Sequence, residues 1–176
     1  MVIHADAVGH EVYLPHSEGW RRVVEVFGSA ILAADGTIDR KQLGATVFGD
    51  PQALQRLNAI VHPLISEEIQ RRIAAQRSSG FLRPIVVEAA ILIEAKWLPL
   101  VDEVWVVGAT KEAVIERLDT QRGLSAGDVG KRIAAQLTDA ERRRFAHVVI
   151  ENTGSIDDLR ARVREAWQRS TTACGS

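Results

Sequence analysis

The sequence has one cysteine, few aromatic residues and no long apolar run. Aromatic residues make up 5% of its 176 residues, and the single cysteine, Cys174, has no second cysteine within the chain for a disulfide. No stretch approaches the ~20 apolar residues of a membrane-spanning helix. The segment Met1–Asp6 lacks the charged and apolar regions of a signal peptide. These absences argue against a disulfide-rich secreted domain and a membrane protein, and they favour a cytoplasmic location.

The sequence also lacks an excess of either charge. It has 22 basic and 23 acidic residues, which give a net charge of -1. Because proteins that bind nucleic acids present a basic surface, we expect no nucleic-acid partner. Since no apolar run is long enough to span a membrane, we also expect no membrane partner. Hydrophobic residues make up 46% of the chain, enough for one sizeable core. We expect one domain over residues 1–169, followed by a flexible tail over residues 170–176.

Short apolar strands alternate with amphipathic helices, a pattern that indicates an α/β fold with a mainly parallel sheet. Strands are predicted near residues 1–6, 81–88, 103–108 and 147–150, and the second and third of these are expected to be buried and central. Helices are predicted near residues 17–27, 38–48, 51–73, 111–122, 126–137, 141–146 and 156–167. Ser17 is expected to cap the first helix, and Pro63 to kink or break the longest one near His62.

Asp6 is the first candidate for chemistry. It follows an apolar strand and begins a helical stretch, so it lies at the carboxyl edge where open α/β sheets place their ligands. A carboxylate there either accepts a proton from a substrate hydroxyl or only caps the helix, and the local sequence leaves both interpretations open. His4 and His10 flank Asp6, but a metal site lacks a convincing third ligand. Core or substrate-contacting roles suit these histidines better.

Two other groups of charged residues have open interpretations. Glu88 and Glu94 follow a predicted strand, where each either positions a substrate or metal or forms a cap or ion pair. Residues 117–144 contain six arginines and Lys131, which either close over phosphate groups as a mobile lid or form a solvated helical face. The arginines are Arg117, Arg122, Arg132, Arg142, Arg143 and Arg144.

Several motifs, in the same order and spacing, resemble those of dephospho-CoA kinase. They are Val2–Asp6 with Gly9–Tyr13, Asp35–Arg40 with Leu43-Gly44 and Val47-Phe48, Ile60–Ile65, Glu88–Trp97, Gly123-Leu124-Ser125 with Arg132–Gln136, and Asn152-Thr153-Gly154. Each motif alone is weak, but together they extend from Met1 to about Trp167. Their common order makes the resemblance specific.

The resemblance implies a P-loop nucleoside-kinase-like fold, with a parallel sheet, flanking helices and a helical lid at residues 117–146. It implies that ATP with Mg²⁺ phosphorylates the ribose 3′-hydroxyl of dephospho-CoA, which is the last step of coenzyme A biosynthesis. Asp6 matches the family's proposed base, and Arg117 matches a catalytic lid arginine that meets the ATP phosphates. Other matched positions are Arg132 and Gln136 in the lid, and His10, Arg40 and His62 near the substrate. No residue is assigned as a metal ligand.

The sequence departs from the family pattern in three respects. His4 replaces the first aspartate of the motif that ends in Asp6, and His147 occupies a frequent aspartate position. No Gly-x-x-x-x-Gly-Lys-Ser/Thr phosphate loop occurs in the 176 residues. We therefore expect that the first strand, phosphate loop and helix are missing, that an apolar gap lies beside Val2 and Ile3, and that the chain alone has little activity. The alternative is a pseudokinase that binds a CoA-like ligand or a partner protein without transferring phosphate.

Overall fold

The computed structural model describes residues 1–109 and 137–173. The chain forms two compact units, Met1–Leu100 and Val101–Ser176. The first unit contains β1 (Val2–His4), α1 (Ala5–Glu11), α2 (Glu18–Phe27), α3 (Arg40–Val47), α4 (Pro51–Ser78) and β2 (Val86–Glu88). The described part of the second unit contains β3 (Trp105–Gly108), α5 (Asp139–Arg143), β4 (Val148–Glu151) and α6 (Ile156–Ala173). The predicted helices at 111–122 and 126–137 lie outside the described residues, except for Leu137.

The helix boundaries follow local signals in the sequence. The Ser17 side chain accepts a hydrogen bond from the Trp20 backbone N–H at 3.1 Å, which confirms the predicted cap of α2. Pro51 is the first residue of α4, where its missing N–H has no helical acceptor to lose. The helix continues through Pro63 to Ser78, so one long helix is confirmed and a break near His62 is wrong. Tertiary packing accounts for this, because Ile60 and Ile65 are buried on either side of the proline.

The sheet of the first unit consists of two parallel strands. Val2, Ile3 and His4 of β1 pair with Val86, Val87 and Glu88 of β2, respectively. Strand β1 is therefore paired along the edge that faces β2, and the expected gap beside Val2 and Ile3 does not lie there. The expectation that the segment 81–88 forms a buried strand is also wrong, because Val86 is 47% exposed. Within the described residues each strand has one neighbour, and helices cover only the face that carries Ile3.

Two buried clusters hold the helices of the first unit together. The first cluster combines β1, α1, α4 and the segment before Leu100, and its most buried members are Ile3, Val8, Ile69 and Trp97. The second cluster joins α2, α3 and the middle of α4 through Val23, Ile31, Ile38, Leu43 and Ile60. Helix α4 contributes to both clusters. The first cluster lies directly beneath the junction of β1 and α1, where the candidate site is found.

The second unit pairs β3 with β4 in parallel, with Gly108 opposite Glu151. Helix α6 packs on this sheet through the rings of Trp105 and Trp167, whose centroids are 6.2 Å apart. Helix α6 extends to Ala173, so the tail expected from residue 170 begins as helix. Among the described helices, none is long and apolar enough to cross a membrane.

Candidate active site

The candidate site lies at the carboxyl edge of the β1–β2 sheet. Strand β1 ends at His4, α1 begins at Ala5, and Asp6 is an exposed residue in the first turn of that helix. The N-cap residue of α1 is His4, so the interpretation of Asp6 as the helix cap is wrong. Within the described residues, the Asp6 carboxylate has no hydrogen bond or ion pair. It is therefore available to a ligand at this edge of the sheet.

Beside Asp6, the structure forms a pair that the sequence did not predict. His4 and Glu88 are the last residues of their parallel strands and lie opposite each other in the sheet register. His4 Nδ1 is 3.1 Å from Glu88 Oε2, and the two side chains are 62% and 59% exposed. Sequence reasoning treated the two residues separately because they are 84 positions apart in the chain. The signal that could have predicted the pair is that His4 and Glu88 each lie near the end of a predicted strand, and the two strands pair in parallel.

His10 lies four residues after Asp6, in the last turn of α1. Residues at this spacing are neighbours on one face of a helix, so the structure brings Asp6 and His10 to the same face. Both residues are exposed. The predicted candidates in α1 are thus close to each other, and both are accessible to solvent.

One ion pair connects the helix that carries Asp6 to α4. Arg72 pairs with Glu11 at the end of α1 and with Glu68 on its own helix, the latter at 2.7 Å. Arg71 also donates two hydrogen bonds of 2.7 Å to the Glu68 carboxylate. The Arg71 hydrogen bond and then Arg72 lower the pKa of Glu68 to about 2, against a smaller desolvation effect. The network therefore stays charged at neutral pH and connects α1 to α4.

The other substrate candidates, His62 and Arg40, lie on different helices. His62 is half-buried in α4, and its ring meets that of Trp97 edge-on with centroids 5.7 Å apart. Burial lowers the pKa of His62 below its ordinary value, because desolvation disfavours the charged imidazole. Arg40 is the exposed first residue of α3, whose buried Leu43 packs into the second cluster. His62 thus contacts the cluster beneath Asp6, whereas Arg40 belongs to a helix on the other cluster.

The lid candidates Arg117, Arg132 and Gln136 lie outside the described residues. Arg143, which the arginine-rich segment also contains, donates hydrogen bonds to Asp139 at 2.5 Å and to Glu151 at 2.6 Å. These carboxylates raise the pKa of Arg143, with Glu151 contributing most. Arg143 therefore connects α5 to the end of β4 and is not a freely solvated charge.

Asp6, Glu88 and the neighbouring histidines do not form a ready-made metal centre. Within residues 1–109 and 137–173, no group of three or more histidine, cysteine, aspartate or glutamate side chains is arranged to hold a metal ion. A Mg²⁺ ion bound to a nucleotide needs only one or two protein carboxylates, because phosphate oxygens and water complete its coordination.

The family model described as dephospho-CoA kinase matches residues 1–158 of this chain. A dephospho-CoA kinase from Dehalococcoides mccartyi is 42% identical over 164 residues, which cover 93% of this chain and 81% of that protein. A dephospho-CoA kinase from Symbiobacterium thermophilum is 41% identical over 175 residues, which cover 99% of this chain and 71% of that protein.

Two solved structures share the fold. The crystal structure of TT1252 from Thermus thermophilus superimposes with a TM-score of 0.76 at 30% identity, over 96% of this chain and 83% of the other. The dephospho-CoA kinase from Campylobacter jejuni superimposes with a TM-score of 0.69 over 98% of this chain and 85% of the other. At 24% identity, this second likeness is evidence for the fold alone. Both structures support the predicted α/β class with parallel strands.

Proposed function

The chain belongs to the dephospho-CoA kinase family, whose members are ATP-dependent kinases, and we propose that its site acts on the ribose 3′-hydroxyl of dephospho-CoA to form coenzyme A. The observation that supports this assignment within the site is the Asp6 carboxylate. It is exposed at the carboxyl edge of a parallel sheet and has no partner among the described residues.

Asp6 performs the proton transfer in this proposal. Its carboxylate accepts the proton of the 3′-hydroxyl, and the hydroxyl oxygen forms a bond to the γ-phosphorus of ATP. The bond between that phosphorus and the bridging oxygen of ADP breaks, so ADP leaves with the electron pair. Proton transfer at a positioned side chain contributes roughly a hundredfold or more to such a reaction. The ion pair between Arg72 of α4 and Glu11 of α1 helps to hold the helix that carries Asp6 against α4 while this occurs.

ATP is the co-substrate, and we propose that Mg²⁺ enters the site bound to it. When bound, the ion neutralises charge on the phosphates. We assign no residue of this chain as its ligand.

The remaining candidates bind the two substrates in this proposal. His10 shares the exposed face of α1 with Asp6, and we assign it to dephospho-CoA together with His62 and Arg40. Arg117, Arg132 and Gln136 are assigned to the ATP phosphates, where arginine provides a planar, two-pronged donor. For these six residues the assignment rests on the family motifs.

The absence of a phosphate-loop motif from the sequence has a kinetic consequence. The backbone amides, lysine and hydroxyl of that loop supply much of the grip on ATP in P-loop enzymes. We therefore propose that these 176 residues alone form coenzyme A slowly. The same absence supports a second candidate function, a pseudokinase that binds a CoA-like ligand without transferring phosphate. An unpaired Asp6 favours the enzyme, because a pure binding protein has no chemical need for a base.

Two measurements on the purified chain test the proposal. Calorimetric titration should show saturable binding of dephospho-CoA, and an assay with Mg-ATP should detect coenzyme A at a rate well below the ~1–100 s⁻¹ usual for kinases. A flat titration would refute the assignment. A rate within the usual range would refute only the slow turnover. Binding with no detectable product after prolonged incubation would favour the pseudokinase.

A further inference from the structure

The pairing of His4 with Glu88 has no place in the mechanism above. We propose that His4 is a second substrate-contacting residue, which accepts a hydrogen bond from a ribose hydroxyl beside the hydroxyl that Asp6 holds, and that Glu88 is its positioning residue. The inference rests on the proposed function because it names a further contact for the same substrate. Three observations support it: the register that places His4 opposite Glu88, the hydrogen bond between their side chains, and the position of Asp6.

The hydrogen bond determines which nitrogen of His4 is available. A carboxylate only accepts hydrogen bonds, so His4 Nδ1, which is 3.1 Å from Glu88 Oε2, carries the proton. In the neutral ring, Nε2 then has the free lone pair and acts as an acceptor. The same arrangement orients histidines in other active sites, where a carboxylate fixes both the tautomer and the ring. A hydroxyl group is a fitting ligand because it can donate to Nε2.

The position of the pair points to the substrate of Asp6. His4 ends β1, and Asp6 follows it by two residues across the start of α1. Glu88 ends the neighbouring strand, so all three side chains belong to one carboxyl edge. A ribose carries hydroxyls on adjacent carbons, so a base and a second acceptor at one edge suit its two oxygens.

The pair contributes little to the fold. Both side chains are more than half exposed, and exposed ion pairs have only small effects on stability. His4 is the N-cap residue of α1, yet its side chain makes no capping hydrogen bond. Backbone pairing already holds the two strands in register. Variants at either position are therefore expected to fold.

Nuclear magnetic resonance of the imidazole nitrogens tests the role of Glu88. At pH 8, where imidazole side chains are neutral, long-range ¹H–¹⁵N spectra of the full chain should show His4 mainly as the Nδ1–H tautomer. Glu88→Ala should shift the His4 signals towards a mixture of tautomers, whereas Glu25→Ala at an exposed position on α2 should not. A predominant Nε2–H tautomer in the unsubstituted chain would overturn the proposal.

Calorimetric binding of dephospho-CoA tests the contact itself. His4→Asn keeps a donor towards Glu88 and removes Nε2, so the dissociation constant should rise about fivefold, the scale of one hydrogen bond. Glu88→Ala should have a similar effect, and the double variant should bind no more weakly than the weaker single variant. His16→Asn is the matched control, because His16 is exposed and its φ of 68° is tolerated by asparagine.

The outcomes separate this inference from the function on which it rests. If His4→Asn binds dephospho-CoA as tightly as the unsubstituted chain does, the contact is wrong and the proposed function stands. If the unsubstituted chain gives no binding heat, both are wrong. Thermal unfolding midpoints should agree within about 2 °C between the variants and the unsubstituted chain, so that a loss of affinity is assigned to the contact.

Discussion

At the scale of single residues, His62 shows how packing changes a side chain's chemistry. Its ring lies against Trp97, a residue that is 3% exposed, and it loses contact with water as a result. Burial favours the neutral imidazole and lowers the pKa of His62 in the folded protein. A sequence motif cannot show this, because Trp97 is distant in sequence and only tertiary structure places it over the ring.

The lowered pKa of His62 predicts a pH-dependent stability. Above about pH 6.5 the residue is neutral in both the folded and unfolded states, so it adds no pH dependence. Between that value and the lower folded pKa, the unfolded state binds more protons, and the free energy of unfolding falls as the pH falls. Urea unfolding at pH 7.5 and pH 5.5 should show a smaller loss for His62→Gln than for the unsubstituted chain. His16→Asn, at an exposed position whose φ of 68° asparagine tolerates, is the control, and equal losses in all three proteins would contradict the assignment.

The position of Asp6 was predictable from the sequence, whereas the pairing of its neighbours His4 and Glu88 was not. A carboxylate directly after an apolar strand and before a helix is a local pattern, and the structure places it where that pattern indicates. The His4–Glu88 pair depends on the register of two strands that are far apart in sequence. Arg143 belongs to a charge run that suggests either a lid or a solvated face, yet it pairs with Asp139 on its own helix and with Glu151 of β4.

At the scale of elements, Gly19 fixes how closely α2 follows α1. A Cβ atom at Gly19 would lie 2.2 Å from the Val12 carbonyl oxygen and 3.0 Å from Leu64 Cδ1. Since backbone cannot yield as a flexible side chain can, any larger residue must separate the end of α1 from the start of α2. The close approach therefore requires glycine at this position.

Gly19→Ala is expected to lower the free energy of unfolding by about 2–3 kcal/mol, the range for overpacking at a buried site. Chemical denaturation measures this change. Gly44→Ala in α3 is the matched control, because a Cβ there meets no atom within 4 Å. That substitution should stabilise the protein by up to about 1 kcal/mol through the helix propensity of alanine. Similar losses for the two variants would show that the contact with Val12 is unimportant.

Element positions were more predictable than their burial. Caps and stop signals located α2 and the start of α4 because they act through local hydrogen bonds. Apolar runs also located β2 and β3 and predicted buried strands, but Val86 of β2 is about half exposed, and in β3 Val106 is buried whereas Val107 is about half exposed. Burial depends on what packs against each strand, and an apolar run does not contain that information. Of the kink or break expected near Pro63, the break was wrong for the same reason, since packing on both sides maintains α4.

At the scale of the whole molecule, the α/β class followed from the order of the elements, but the sheet topology did not. The sequence pattern predicts one mainly parallel sheet, and the described residues form two parallel pairs, β1 with β2 and β3 with β4. Strand order depends on contacts between distant segments, which periodicity cannot specify. The chain spans 81% and 71% of two of its relatives, and the matched portion includes the motifs that carry the family assignment.

The lid hypothesis predicts a specific response to arginine substitutions. Arg117→Lys or Arg132→Lys keeps the positive charge but removes the planar donor that clamps a phosphoryl group, so coenzyme A formation should slow by tenfold or more. Arg164→Lys on the exposed surface of α6 is the control; Arg143 is unsuitable because it bridges two carboxylates. If the three variants form coenzyme A at the same rate, the arginine-rich segment is only a charged helical face.

The most direct test of the account is the dependence of coenzyme A formation on Asp6. The unsubstituted chain and Asp6→Asn are incubated at equal, high concentration with Mg-ATP and dephospho-CoA, and the product is quantified by chromatography over time. We predict slow formation by the unsubstituted chain and a rate at least about a hundredfold lower for Asp6→Asn, with little change in dephospho-CoA affinity. Equal rates in the two proteins would contradict the account, because Asp6 would then not be the base.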